Sequence, residues 1–339
     1  MAAELAAARR ALARTAPEER IALLYALAVA ALFAARGLPF TVLPLLAGYG
    51  LFLATLAAMA LVPWLAVQGL RRRRGAFDRA RAADDHVRLL RGFLALLVVL
   101  VGYTNLKSRL FALHATLFDR ELARADAWLH FAGGDFLGWV LSTTHAPFRM
   151  AVLDLVYFYA WLPLAVPFAA AFARAGGAAA RRVLAAGALA YVVGGFLYLA
   201  VPSVGPAFFE RERFAHLSGL FGWQTQQGML DTLRYLATHP AAPAVPFLGI
   251  AAFPSLHLAS TVIGLFAAAR WNRWLLWLLV PWNLVIAWAT VAWGWHYAID
   301  LYAGALLAWG AWAAAGALVG AEGAPTPAAA PPPPGSGSG

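Results

Sequence analysis

Long apolar runs broken by short clusters of charge set the pattern of this chain. Windows with few charged residues recur near 21–35, 42–69, 92–106, 148–172, 183–202, 254–269, 274–293 and 297–320. An α-helix rises about 1.5 Å per residue and the hydrocarbon core of a bilayer is about 30 Å thick, so roughly 20 apolar residues cross it. None of the runs alternates polar and apolar positions as a membrane β-barrel strand does. The pattern predicts an all-α membrane protein with eight spans.

Composition sharpens this reading. Of 339 residues, 62% are hydrophobic and 12% are charged, whereas about a quarter of a soluble domain is charged. With no Cys, disulfides, thiolate catalysis and Cys-ligated metals are excluded. The net charge of +10 does not imply a nucleic-acid partner, because no basic module stands apart from the spans. Most of the 26 Lys and Arg residues fall before residue 21 and within 71–91, 173–182 and 270–273. Basic loops stay on the cytoplasmic side, and an even number of spans puts both termini there too. The Ala, Arg and Gly bias fits a bacterial inner membrane, with the other face periplasmic.

Arg9, Arg10, Arg14 and Arg20 precede the first run like the start of a signal peptide, but no cleavage site follows, so a retained span is expected. The Pro-rich end, with its Gly-Ser repeat, cannot build a packed element. The expected organisation is a two-helix region at 1–70, a basic linker at 71–91, a core at 92–320 and a disordered tail and linker at 321–339. Two outward segments are too long for turns. The first, 107–147, mixes Leu117, Leu122, Trp128 and Leu129 with charges and is expected to lie along the interface, apolar side down. The second, 203–253, is rich in Gly and Pro and reads as an ordered lid.

Ionisable side chains at span ends are costly and tend to be functional. Lys107, His257, His296 and Asp300 stand at such ends, all on the outward side. His296 and Asp300 have i,i+4 spacing, which on a helix brings both to one face. A carboxylate on one ring nitrogen fixes the tautomer and leaves the other nitrogen free as nucleophile or base. His257 follows Pro254-Ser255-Leu256 at a helix start, where free N–H groups favour a phosphate. One His to attack and one to protonate the leaving alkoxide suffice for phosphoryl transfer with no cofactor or metal. The same spacing also suits a purely structural hydrogen bond, and a His/His/Asp zinc site lacks the H-E-x-x-H spacing that would support it. His114, His130, His145, His216 and His239 have no partner at useful spacing.

Pro254-Ser255-Leu256-His257, followed by His296-Tyr297-Ala298-Ile299-Asp300, resembles the second and third motifs of the type 2 phosphatidic acid phosphatase superfamily. It is most similar to the branch of the inositol phosphorylceramide synthases, with sphingomyelin synthases as more distant relatives. Tyr103 to Lys107, Asp119 and Asp126 ahead of Gly133-Gly134, and Pro202-Ser203-Val204-Gly205-Pro206 also resemble that branch. The resemblance covers about 92–320 and implies a six-helix core carrying two additional N-terminal helices. It implies His296 as the nucleophile of a phosphohistidine intermediate, Asp300 as its orienting group, and His257 as the acid and then the base.

Two arginines of the phosphatase motifs are missing. His114 and Ala115 stand where the first motif places Arg-Pro, and Ala289-Thr290 where the third places Ser-Arg. Lys107, Ser255, Arg211 and Arg213 are the candidates left to hold phosphate, although both arginines alternate with Glu210 and Glu212 as a solvated loop would. The smaller positive charge favours phosphodiester substrates, and so a metal-independent transferase with a phospholipid donor and a lipid or polyol acceptor. The alternatives are a phosphatase for lipid phosphate or polyprenyl pyrophosphate, and a non-enzymatic lipid-binding or transport protein.

Overall fold

The computed structural model describes residues 16–73, 77–114, 116–143, 147–159 and 162–320. Arg9, Arg10, Arg14, Arg74, Ala115, His145 and the Pro-rich tail lie outside the described residues. Among the described residues the chain is helical and has no strand. Helices α1 (Pro17–Ala35), α2 (Leu43–Arg73) and α3 (Arg79–Ser108) come first. A connection holding α4 (Asp119–Phe131) and α5 (Phe136–Thr143) leads to α6 (Pro147–Phe158), α7 (Leu162–Ala175) and α8 (Gly177–Ala200). A second connection carries a turn of helix at Pro206–Phe209, a 3-10 stretch at Arg211–Leu217 and α9 (Phe221–Thr238). It leads to α10 (Leu256–Trp271), α11 (Leu276–Ala292) and α12 (Ala298–Val319).

Among the described residues five helices are long and apolar enough to cross a membrane: α2, α3, α8, Arg273–Ala292, which contains α11, and α12. Ala165–Ala175 and α10 are apolar but shorter. The expected run 148–172 is not one helix, because α6 ends at Phe158 and α7 begins at Leu162. Pro163 at the second position of α7 supplies a reason: proline suits a helix start but removes a hydrogen bond from a helix continued through it. The two halves pack on different partners, α6 on α11 and α7 on α2 and α10.

Helix α3 is the axis of the bundle and packs on α1, α2 and α8; α8 in turn packs on α10 and α12. In a bilayer, helices associate by close packing of small side chains. Helix α8 supplies them, with Ala180, Ala185, Ala186 and Ala190 buried. One apolar cluster, including Phe33, Val99, Leu106 and Ala186, joins α1, α3 and α8. A second, with Met150, Tyr157, Phe214, Trp293 and Trp295, lies beneath the second connection.

Helix α4 corrects the simple picture of an interfacial helix with its apolar side down. It buries Asp119, Leu122 and Asp126, while Trp128 and Leu129 are exposed. The buried carboxylates are there because each meets backbone N–H groups of other segments. The second connection is tied to α2 and α3 at its far end. Arg109 donates to the carbonyls of Leu236 at 2.7 Å, Pro240 at 3.1 Å and Ala242 at 2.7 Å. Tyr49 Oη accepts from the Phe247 N–H at 3.2 Å.

Candidate active site

His296 lies in the turn before α12, not on the helix as its spacing from Asp300 had implied. The contact still forms. Asp300 sits in the first turn of α12, where its Oδ2 accepts from the Tyr297 N–H at 2.9 Å and lies 3.3 Å from His296 Nδ1. A carboxylate in a first helical turn meets free N–H groups and the positive end of the helix dipole, so Asp300 orients the imidazole and fastens the helix start together. Both side chains are buried.

His257 is the second residue of α10. Its ring centroid lies 6.4 Å from that of His296. The Tyr157 hydroxyl is 3.3 Å from His257 Nδ1, and the Tyr157 ring stacks on Trp295 at 5.2 Å. Tyr157 was not singled out from the sequence. It is one aromatic in an apolar run, and its partner lies 100 residues away.

The turn bearing His296 is held by carboxylates from α4. Asp126 accepts from the N–H groups of Ala298 at 2.6 Å and Ile299 at 2.7 Å, which caps α12 from outside. Asp119 accepts from the Gly205 N–H at 2.8 Å and the Tyr297 hydroxyl at 3.1 Å. Gly205 has φ +89° and stands so near this turn that a Cβ would lie 2.6 Å from the Trp295 carbonyl oxygen. Only glycine combines that backbone with that approach. Burial raises Asp119 and Asp126 above the ordinary carboxylate range, and the backbone donors oppose the rise.

Lys107, His257 and His296 line one cavity of about 510 Å³. The Lys107 ammonium stands 5.9 Å from the centre of the Tyr103 ring and makes no ion pair among the described residues. Burial, and after it the Lys107 charge, pushes His296 down to about 3. A hydrogen bond with the Ala252 backbone opposes that shift, and in the tautomer that turns Nδ1–H to Asp300 the lone pair of the neutral ring lies on Nε2.

The remaining candidates are not brought to this cavity. Ser255 is buried and caps α10, its Oγ accepting from the Leu258 N–H at 3.3 Å. Arg211 lies 3.7 Å over the Trp223 ring and donates to Gln227. Arg213 pairs with Asp135 at 2.7 Å and Glu210 at 3.0 Å. Arg213 and His296 both line a separate hollow of about 70 Å³. Among the described residues no group of three His, Asp or Glu side chains is placed to hold a metal ion.

Fold and site together define a multi-pass helical membrane protein with a pair of histidines, one buried and one half-buried, on one cavity of its bundle. The chain belongs to the PAP2 superfamily, whose model matches residues 120–314. That stretch holds His257, His296 and Asp300, whereas α1, α2, α3 and Lys107 precede it. No curated protein and no solved structure matches the chain. Membership points to an enzyme of the phosphatase and phosphotransferase type that acts on lipid phosphates.

Proposed function

We propose that the protein is a lipid phosphotransferase that moves a phospho-headgroup from a phosphodiester lipid to an acceptor hydroxyl through His296. Nε2 of His296 attacks phosphorus, the N–P bond forms, and the bond to the lipid alkoxide breaks. His257 in its protonated form gives its proton to that alkoxide and becomes neutral, and a neutral lipid leaves. His257 then takes the proton of the acceptor hydroxyl, whose oxygen bonds to phosphorus as the N–P bond breaks. The acceptor is a lipid or a polyol, as in inositol phosphorylceramide synthesis. In this reading the 203–253 segment is the lid, since Val204, Phe208, Thr225 and Met229 line the histidine end of the cavity.

The observation that carries the reading is the pair of histidines on one cavity with Asp300 behind one of them and Lys107 beside both. Among the described residues Lys107 is the only Lys or Arg lining that cavity, Arg211 and Arg213 being engaged elsewhere. A phosphodiester carries less charge than a monoester and needs fewer cations to enter a low-dielectric site. The second reading, a phosphatase, uses the same residues with water as acceptor, and the superfamily match favours it equally. In this reading the site faces the periplasm across the inner membrane and both termini are cytoplasmic, a topology that the charge bias of the loops supports.

The test is lipid mass spectrometry of purified protein in detergent with EDTA. Phosphatidylinositol, phosphatidylglycerol, phosphatidic acid or a polyprenyl phosphate is offered with and without ceramide or a polyol. A headgroup-bearing product together with diacylglycerol, absent for His296→Ala, is expected. Release of free phosphate alone would establish the phosphatase instead, and no product from any donor would remove the enzymatic reading.

A further inference from the structure

We propose that the cavity descending from the two histidines between α2, α3, α8 and α10 holds one hydrocarbon chain of the lipid substrate and is closed at its deep end, so that it measures chain length. The inference rests on the lipid reading of the histidine site. Its own observations are the shape and lining of the cavity.

All the cationic and imidazole groups on the lining, Lys107, His257 and His296, stand at one end. From there the wall runs along α3 to Phe93, about 21 Å at 1.5 Å per residue, and along α10 to Ala267, about 15 Å. Half of a hydrocarbon core about 30 Å thick is the depth one lipid chain spans. A chain whose phosphate lies at His296 therefore fits the length of the cavity. Among the described lining residues there is no carboxylate, and the deep part is walled by residues such as Leu100, Leu184 and Ile263. The Phe93 and Phe168 rings, which meet edge to face at 5.7 Å, both line this deep part.

Gly187 marks the space directly. It lies on α8 and lines the deep part of the cavity, and a Cβ built there meets nothing within 4 Å. The opposite wall comes from α2, through Phe52 and Leu56. Helices α2 and α3 precede the stretch matched to the superfamily, whereas α8 and α10 lie within it, so two of the four walls that select the chain come from outside that stretch.

The test compares the native protein with Gly187→Leu and Leu56→Trp, which fill the cavity from two walls. Gly310→Leu, on α12 away from the lining with open space at its Cβ, controls for replacing a helical glycine. Phosphatidic acids and diacylglycerols with short or long acyl chains are offered in detergent. Retained lipid is read by native mass spectrometry, and turnover is read alongside.

Each buried methylene is worth about fourfold in affinity. Displacing two or more should cut retention of long chains by about tenfold or more relative to short ones. Gly310→Leu should behave as native. If Gly187→Leu does not fold, Leu56→Trp carries the test. An unchanged ratio of long to short chains in a folded cavity variant, or the same shift in Gly310→Leu, overturns the proposal. Retention does not require chemistry, so His296→Ala should keep the native chain preference. Chain selection without turnover of any lipid would sink the enzymatic reading alone, and turnover with no effect of filling the cavity would sink the chain site alone.

Discussion

The two ends of the helix bundle treat their carboxylates differently. Toward the end formed by the starts of α1 and α8, two acids find guanidinium partners, Glu18 with Arg181 and Glu19 with Arg91 at 2.7 Å, while Asp85 accepts from the Gly177 N–H at 2.6 Å. Around the histidines, Asp119, Asp126 and Asp300 are held by backbone N–H groups, a tyrosine hydroxyl and an imidazole, with no arginine. An acid paired with a cation neutralises charge, whereas an acid bound by N–H groups fixes a turn. Asp119, Asp126 and Asp300 shape the backbone that carries His296, whereas Asp135 and Glu210 pair with Arg213, and Lys107 is left for the substrate.

The largest contrast should come from removing the acid that touches the nucleophile. Asp300→Asn is expected to lower kcat by roughly a hundredfold or more, by analogy with the orienting acid of other His-based sites, with little change in KM. Steady-state kinetics on the best donor checks this, and a loss confined to KM would contradict it. Lys107→Met should reduce kcat/KM by about a hundredfold, the scale for removing one group that meets developing charge. A phosphate monoester should lose more than a phosphodiester, and equal losses would separate Lys107 from the phosphate.

The smallest effects test the comparison itself. Asp126→Asn weakens the cap on α12 and should cost about 1–2 kcal/mol of stability, with a several-fold fall in turnover because the His296 turn is loosened. Glu19→Gln breaks a partly exposed pair and should cost under about 1 kcal/mol, with turnover unchanged. Thermal unfolding in detergent, read beside activity, distinguishes the two. If both variants lose stability and activity alike, the two ends do not differ as described.

Much of this site was legible in the sequence because its chemistry is local. Pro254 to His257 and His296 to Asp300 each lie within five residues, and both sit at helix starts that apolar runs betray. Spacing named the contact between His296 and Asp300, although His296 precedes the helix. The supporting contacts were not legible, since they join residues far apart: Asp126 reaches Ala298 across 172 positions and Tyr157 reaches His257 across 100. Arg211, Arg213 and Ser255 were named for their chemistry alone, which says nothing of the partners that occupy them. The division of 148–172 was hidden because hydropathy is the same on both sides of the break.

The central claim is a phosphoryl group carried on Nε2 of His296, and direct trapping tests it. A phosphodiester with a good aryl leaving group does not need the His257 proton for the first step, whereas the second step still needs His257 as base. His257→Ala given such a substrate, quenched and digested, should therefore show at His296 a peptide carrying the phosphoryl group with its remaining ester by mass spectrometry, absent when Asn replaces His296. Release of the aryl alcohol with no label on His296, or label on another residue, would contradict the account.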